Sequence, residues 1–250
     1  MRGVRLLAAA GLAALLISLV SLIPAQVASR WLGVPANAAS GWSGTLWHGE
    51  AHHLNVAGFE AGPVRWQIRP LRLLTGQLAA GVEATLPEGF LTGTVALGLG
   101  GGVAISSLEA AAPLTWLAPN LGANGGQVAA RFDKLAWKGG RITAAIGTLT
   151  VAGVVLPVPT AGPKLGPGNY AVAFDAGSIG PEEPLMGVLS DAGGPLEITA
   201  AVKVTPPRSY EVDGTAKPRP DAPPELRDAL RMLGPATPDG GHALSLAGSF

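Results

Sequence analysis

The sequence predicts a mainly β protein: a single N-terminal transmembrane helix followed by a twisted, mostly antiparallel sheet with one late α-helix. Three observations carry that prediction. Residues 6–23 form an uncharged apolar run closed by Pro24. From Gly41 onward, short apolar–polar alternations recur with Gly or Pro between nearly all of them, the pattern of half-buried strands joined by turns. Only the stretch around 221–234 spaces leucines at i, i+4 and i+7 between helix start and stop signals.

Length and composition narrow the choices. At 250 residues the chain has room for one large β domain or two smaller ones, either with a sizeable core. The 36 glycines and 22 prolines fall between short apolar runs and form no blocks of their own, so they read as turns. Only 14 % of residues are charged and the formal net charge is zero, which leaves no basic surplus for a nucleic acid. There are no cysteines, which excludes disulfides, thiolate metal sites and cysteine nucleophiles without fixing the compartment.

The apolar run follows Arg2 and Arg5 and extends from Leu6 to Ile23. At helical rise it would span roughly 27 Å, the hydrocarbon thickness of a bilayer. A cleavable signal peptide is the competing reading, but its apolar core is usually ~7–15 residues. Ala36-Asn37-Ala38 has the small-x-small form of a cleavage site and lies too far beyond the run; sites around Ala25 or Ser29 are open. The favoured organisation is a cytoplasmic N-terminus at 1–5, a transmembrane helix at 6–23, a linker at 24–40 and a periplasmic β domain at 41–250, the arginines keeping the amino end inside. Trp31 stands where an indole suits a membrane surface, or packs under the first strands.

Candidate strands run over about 42–48, 50–57, 62–69, 76–86, 91–99 and 102–109. Pro70 ends the third, and Leu71–Leu74 form an apolar connector. Gly100-Gly101-Gly102 is a hairpin turn and not a nucleotide loop, since no helix follows and no Gly-Lys pair exists. Ala112–Leu121 holds Pro113 and Pro119 around Leu114, Trp116 and Leu117 and suggests a short helical turn. In Gln127–Trp137 the apolar face changes parity between Phe132 and Leu135, which predicts a β-bulge near Asp133-Lys134. Lys138-Gly139-Gly140 turns into a strand over 141–151. Residues 152–168, rich in Pro and Gly, read as an irregular crossing segment and the one plausible internal boundary; the strand pattern on both sides favours one continuous sheet. Tyr170, Val172 and Phe174 alternate as a strand. Glu182–Ser190 reads as a short helix with Leu185, Met186 and Leu189 apolar. Leu196–Val204 is the clearest strand with one wet face. Tyr210–Ala216 returns, the late helix carries Leu226, Leu230 and Leu233 before Gly234-Pro235, and a final strand holds Leu244, Leu246, Gly248 and Phe250.

Chemistry is hard to find. His48, Glu50 and His52 would share one strand face, but His48 and His52 then stand ~13 Å apart, whereas zinc ligands approach the metal at roughly 2.0–2.2 Å. Gly41-Trp42-Ser43-Gly44 is one residue short of a nucleophile elbow. Acidic residues gather at Glu182-Glu183 and near Asp221, where helix starts account for them. The expectation is a protein that is not an enzyme, with no catalytic residue, metal site or cofactor.

Several ordered segments resemble the type II secretion system protein N family. They are Ser43-Gly44-Thr45-Leu46-Trp47-His48-Gly49, then Gly62-Pro63-Val64-Arg65-Trp66, Pro70 and Leu71-Arg72-Leu73-Leu74. Toward the end come Gly194-Pro195-Leu196, Gly214-Thr215-Ala216-Lys217-Pro218, Ala229-Leu230-Arg231-Met232-Leu233-Gly234-Pro235 and Asp239-Gly240-Gly241-His242. Residues 82–190 match in rhythm only. The resemblance implies a non-catalytic, inner-membrane component of an apparatus that exports folded proteins across the outer membrane. Its partners would be inner-membrane and periplasmic subunits of that apparatus, with inner-membrane lipid held through residues 6–23. The layout is also similar to the AsmA-like proteins, usually much longer, which would imply an apolar groove for lipid; a filled core with an exposed patch would favour docking instead.

Overall fold

A computed structural model describes residues 11, 15, 18–31, 33–35, 37–56, 59–117, 125–154, 168–206, 209–220, 222–231 and 234–249. The chain divides into two compact units, Met1–Pro87 with Thr94–Ala96 and Glu88–Gly93 with Leu97–Phe250. The protein is mainly β and its sheet is antiparallel, and the helices among the described residues are few and short. The crossing segment expected over 152–168 lies mostly outside the described residues.

In the first unit, β1 (Ala39–Gly44) pairs with β2 (His48–Val56), β2 with both β3 (Phe59–Ala61) and β4 (Val64–Arg69), and β4 with β5 (Gln77–Leu86). A short helix, α1 (Ala25–Trp31), buries Ala25 and Ala28 where a linker was expected. Trp31 at its end is 72 % exposed, which excludes packing under the first strands. Of the 6–23 run, residues 11, 15 and 18–23 are described, and 18–21 are helical. Among the described residues no helix is long and apolar enough to cross a membrane.

The end of that run is tied to the sheet. The Leu46 amide donates to the Ile23 carbonyl at 2.8 Å, the Trp47 indole donates to the Val20 carbonyl at 2.9 Å, and Pro24 bridges to Thr45. Trp47 in turn accepts from the Ile68 amide at 2.7 Å, just before Pro70 ends β4. The apolar connector is a 3-10 turn over Pro70–Thr75, closed by Gly76 in the left-handed region.

The second unit is a meander in chain order: β7 (Val103–Pro113), β8 (Gln127–Lys138), β9 (Arg141–Val154), β10 (Gly168–Ala176), β11 (Leu185–Asp191), β12 (Leu196–Thr205), β13 (Ser209–Pro218) and β14 (His242–Ser249). The strand β6 (Gly89–Gly98) contributes residues to both units. Lys138 pairs with Arg141 around Gly139 and Gly140, whose φ values of 59° and 76° give the two-residue turn that right-twisted hairpins favour. The bulge expected at Asp133 is present, as a register shift between Phe132 and Lys134. The short helix expected after Ala112 is α2 (Leu114–Leu117), with Leu114 buried beside Val128. The late helix, α3 (Pro224–Arg231), lays Leu226 and Leu230 on Leu196 and Ala216.

Two readings need correction. Residues 185–191 are a strand and not a helix: Leu185 and Gly187 are buried, Met186 and Val188 exposed, a period of two that the spacing of Leu185, Met186 and Leu189 disguises. Nor are all glycines turns. Gly147 pairs with Phe132 on one side and Phe174 on the other, and those rings stack over it at 6.1 Å. Gly187 continues the row beside Phe174. A ring lying across a glycine restores the apolar surface that the missing side chain leaves open. Around them Ala145 and Leu185 are buried and Leu108, Ile142 and Val204, partly buried, pack against them in one apolar cluster.

Candidate functional site

The histidine cluster is taken apart by the strand register. His48, Glu50 and His52 alternate along β2, and each polar head is engaged by a neighbouring strand. His48 Nε2 lies 3.1 Å from the Gln67 amide nitrogen, Arg65 Nε donates to Glu50 at 3.1 Å, and His52 Nδ1 donates to the Gly41 carbonyl at 2.9 Å. Among the described residues no group of three His, Asp or Glu stands close enough to hold a metal. A cleft of about 230 Å³, just beyond His52 and at the other end of β2 from His48, is lined by Asn37, Ser40, His53, Asn55 and Glu60.

The conspicuous residues of this region are structural. Gly49 pairs directly with Trp66, whose indole covers it. The Trp66 N–H donates to the Leu46 carbonyl at 3.0 Å, and Trp42 meets its ring edge-on at 5.8 Å. Leu46, Gly49 and Trp66 therefore form one interlocked unit, which spacing along the chain alone does not reveal because the register that joins them is a tertiary fact.

In the second unit Asp191, its side chain 4 % exposed, is paired with Arg219 and accepts the Gly193 amide at 3.1 Å. This pair ties β11 to the segment after β13. Tyr170 stands directly across from Asp191 in the ladder. Burial first, and the Asp191 charge second, push its phenol above the ordinary value of 10.0, so it stays protonated and is a poor base or nucleophile at neutral pH.

What this unit does offer is an edge. Among the described residues β14 pairs with no strand other than β13, and on its other side only its first residue, His242, is bridged, to Ala236. Its sequence, His242-Ala-Leu-Ser-Leu-Ala-Gly-Ser249, has no charge and no proline. Exposed edges are normally blunted by lysine, proline, bulges or shortness, because unpaired main-chain groups invite another strand. β14 runs in unbroken register with β13 over eight pairs, from Ser209↔Ser249 to Ala216↔His242. Leu246, at its centre, is 55 % exposed. In the first unit β1 holds Gly41 and Gly44 in the left-handed region, at φ 72° and 80°.

A family model described as type II secretion system (T2SS), protein N matches residues 35–245. The chain is similar to the type II secretion system protein N of Vibrio cholerae serotype O1 (strain ATCC 39315 / El Tor Inaba N16961), 37 % identical over 112 residues that cover 41 % of this chain and 44 % of that protein. It is similar also to the type II secretion system protein N of Aeromonas hydrophila, 25 % identical over 245 residues that cover 94 % of this chain and 93 % of that one. The match thus spans less than half of the Vibrio protein and nearly all of the Aeromonas protein. No solved structure matches the chain. The chain belongs to the type II secretion system protein N family.

Proposed function

We propose that this protein is a non-catalytic, membrane-anchored β scaffold of the type II secretion apparatus. Residues 6–23 would cross the inner membrane with residues 1–5 in the cytoplasm, 24–40 would link the anchor to the sheet, and 41–250 would stand in the periplasm. Its task is to dock other inner-membrane or periplasmic subunits by accepting one of their strands. The observation that carries this is the edge of β14, long, uncharged, free of proline and centred on an exposed Leu246. Main-chain hydrogen bonds along such an edge supply affinity, and the alternate side chains supply selectivity.

The test is a photo-crosslinking residue at Leu246 in native membranes, with the adducts identified by mass spectrometry. Subunits of the secretion apparatus are the expected adducts; phospholipid alone would overturn the docking role. Reporter fusions at the two termini test the topology, and a cytoplasmic signal from the carboxyl end would reject the anchor.

A further inference from the structure

The first unit carries a built turn that buries nothing. Pro70 opens Pro70–Thr75, and its C-terminal end is capped: the Thr75 hydroxyl donates to the Arg72 carbonyl at 2.8 Å, and Gly76 closes it with its amide on the carbonyls of Arg72 and Leu73. None of its residues is buried. Leu71 is 78 % exposed, Leu74 85 % and Leu73 48 %. Single exposed leucines need no explanation, but three on one ordered turn make a patch of the kind that marks an interaction site. Arg69 and Arg72 stand exposed among them, and neither enters an ion pair among the described residues.

The position of the turn identifies its occupant. The Val20 and Ile23 carbonyls, at the end of the apolar N-terminal run, accept hydrogen bonds from Trp47 and Leu46, and Trp47 accepts from Ile68, two residues before Pro70. One end of this unit therefore gathers the end of that run, the Trp47 corner and the leucine turn. Leu15, Leu19 and Leu22 of the run are themselves exposed. Leucines that enter the acyl boundary beside arginines that meet anionic headgroups are the combination an interfacial membrane contact uses.

We infer that Pro70–Thr75 is a second membrane contact, a wedge that inserts Leu71 and Leu74 into the bilayer interface while Arg69 and Arg72 bind anionic headgroups, fixing the tilt of the first unit on the membrane. This rests on the anchor reading of residues 6–23. A protein groove is the other possible cover, and the test separates them.

Because the chain has no cysteine, single-cysteine variants of the full-length protein label at one site. L74C and E60C carry an environment-sensitive fluorophore and are reconstituted in vesicles of phosphatidylethanolamine and phosphatidylglycerol. Glu60 lies near the other end of β2, so its probe reports the far side of the unit. Flotation and alkaline extraction first score the anchor. Expected is a blue-shifted probe at 74 that lipids brominated near the glycerol backbone quench several-fold more than the probe at 60. An anchored protein whose probe at 74 is no better quenched than that at 60 overturns the wedge and leaves the anchor standing. A probe at 74 shielded only when other apparatus subunits are added overturns it in favour of protein docking. A chain that does not stay with the vesicles overturns the anchor, and the wedge with it.

Discussion

Replacing Gly49 by Ala tests the packing logic of the first unit. A Cβ at that position would lie 2.8 Å from Cε2 and Cη2 of the Trp66 indole, well inside contact distance. The ring must then move. Overpacking of this kind costs about 1–3 kcal/mol. Displacement also strains the Trp66 hydrogen bond to Leu46, worth about 1 kcal/mol, and the edge-on contact with Trp42, worth about 0.5–1.5 kcal/mol. Relief of the glycine's own backbone entropy returns about 0.5–1 kcal/mol. The net expectation is a loss of about 2–4 kcal/mol, read by denaturant unfolding followed by far-UV circular dichroism. The Trp66→Leu background supplies the control: with the indole gone, Gly49→Ala should cost little, a coupling of at least about 1.5 kcal/mol in the double-mutant cycle. An equal cost in both backgrounds would refute the claim that this glycine exists to seat that ring.

Two further outcomes follow from the second unit. The folded Tyr170 phenol titrates above its unfolded value of 10.0, so the neutral form stabilises the fold. That stability is complete below pH 10.0 and is lost as pH rises through the folded value; Tyr170→Phe should flatten the alkaline arm of a stability–pH curve, and an unchanged arm would contradict it. Leu230 is only 4 % exposed where α3 meets β12 and β13. Leu230→Ala should cost about 2–4 kcal/mol in urea unfolding, mostly from the cavity it leaves, whereas a loss under about 1 kcal/mol would mean the helix is not held by this contact.

Much of the fold was legible because local signals and tertiary structure agree. Two-residue turns such as Gly139-Gly140 and the parity change after Phe132 announced themselves through composition and period. β11 did not, since Leu185, Met186 and Leu189 fit helical spacing as well as an alternation broken by Gly187; the pairing with β10 and β12 decided it. β3 is three residues long and leaves no period to read. The mid-strand glycines looked like turns because the rings that cover them, Trp66, Phe132 and Phe174, arrive from other strands. For the same reason the tryptophan–glycine signature identified the family before its physical role was visible. The separation of His48, Glu50 and His52 was deducible from strand rise, but their partners Gln67, Arg65 and Gly41 depend on register. That β14 is an edge follows only from the order of the whole meander.

The central claim is that β14 accepts a strand from another subunit. Amide hydrogen exchange over residues 242–249, measured on the isolated full-length protein and again within the assembled secretion apparatus, tests it most directly. Strand addition predicts that the amides on the open side of β14 exchange quickly in the isolated protein and become protected in the assembly, while those already bonded to β13 change little. An assembled complex in which β14 exchanges as it does alone would contradict the account.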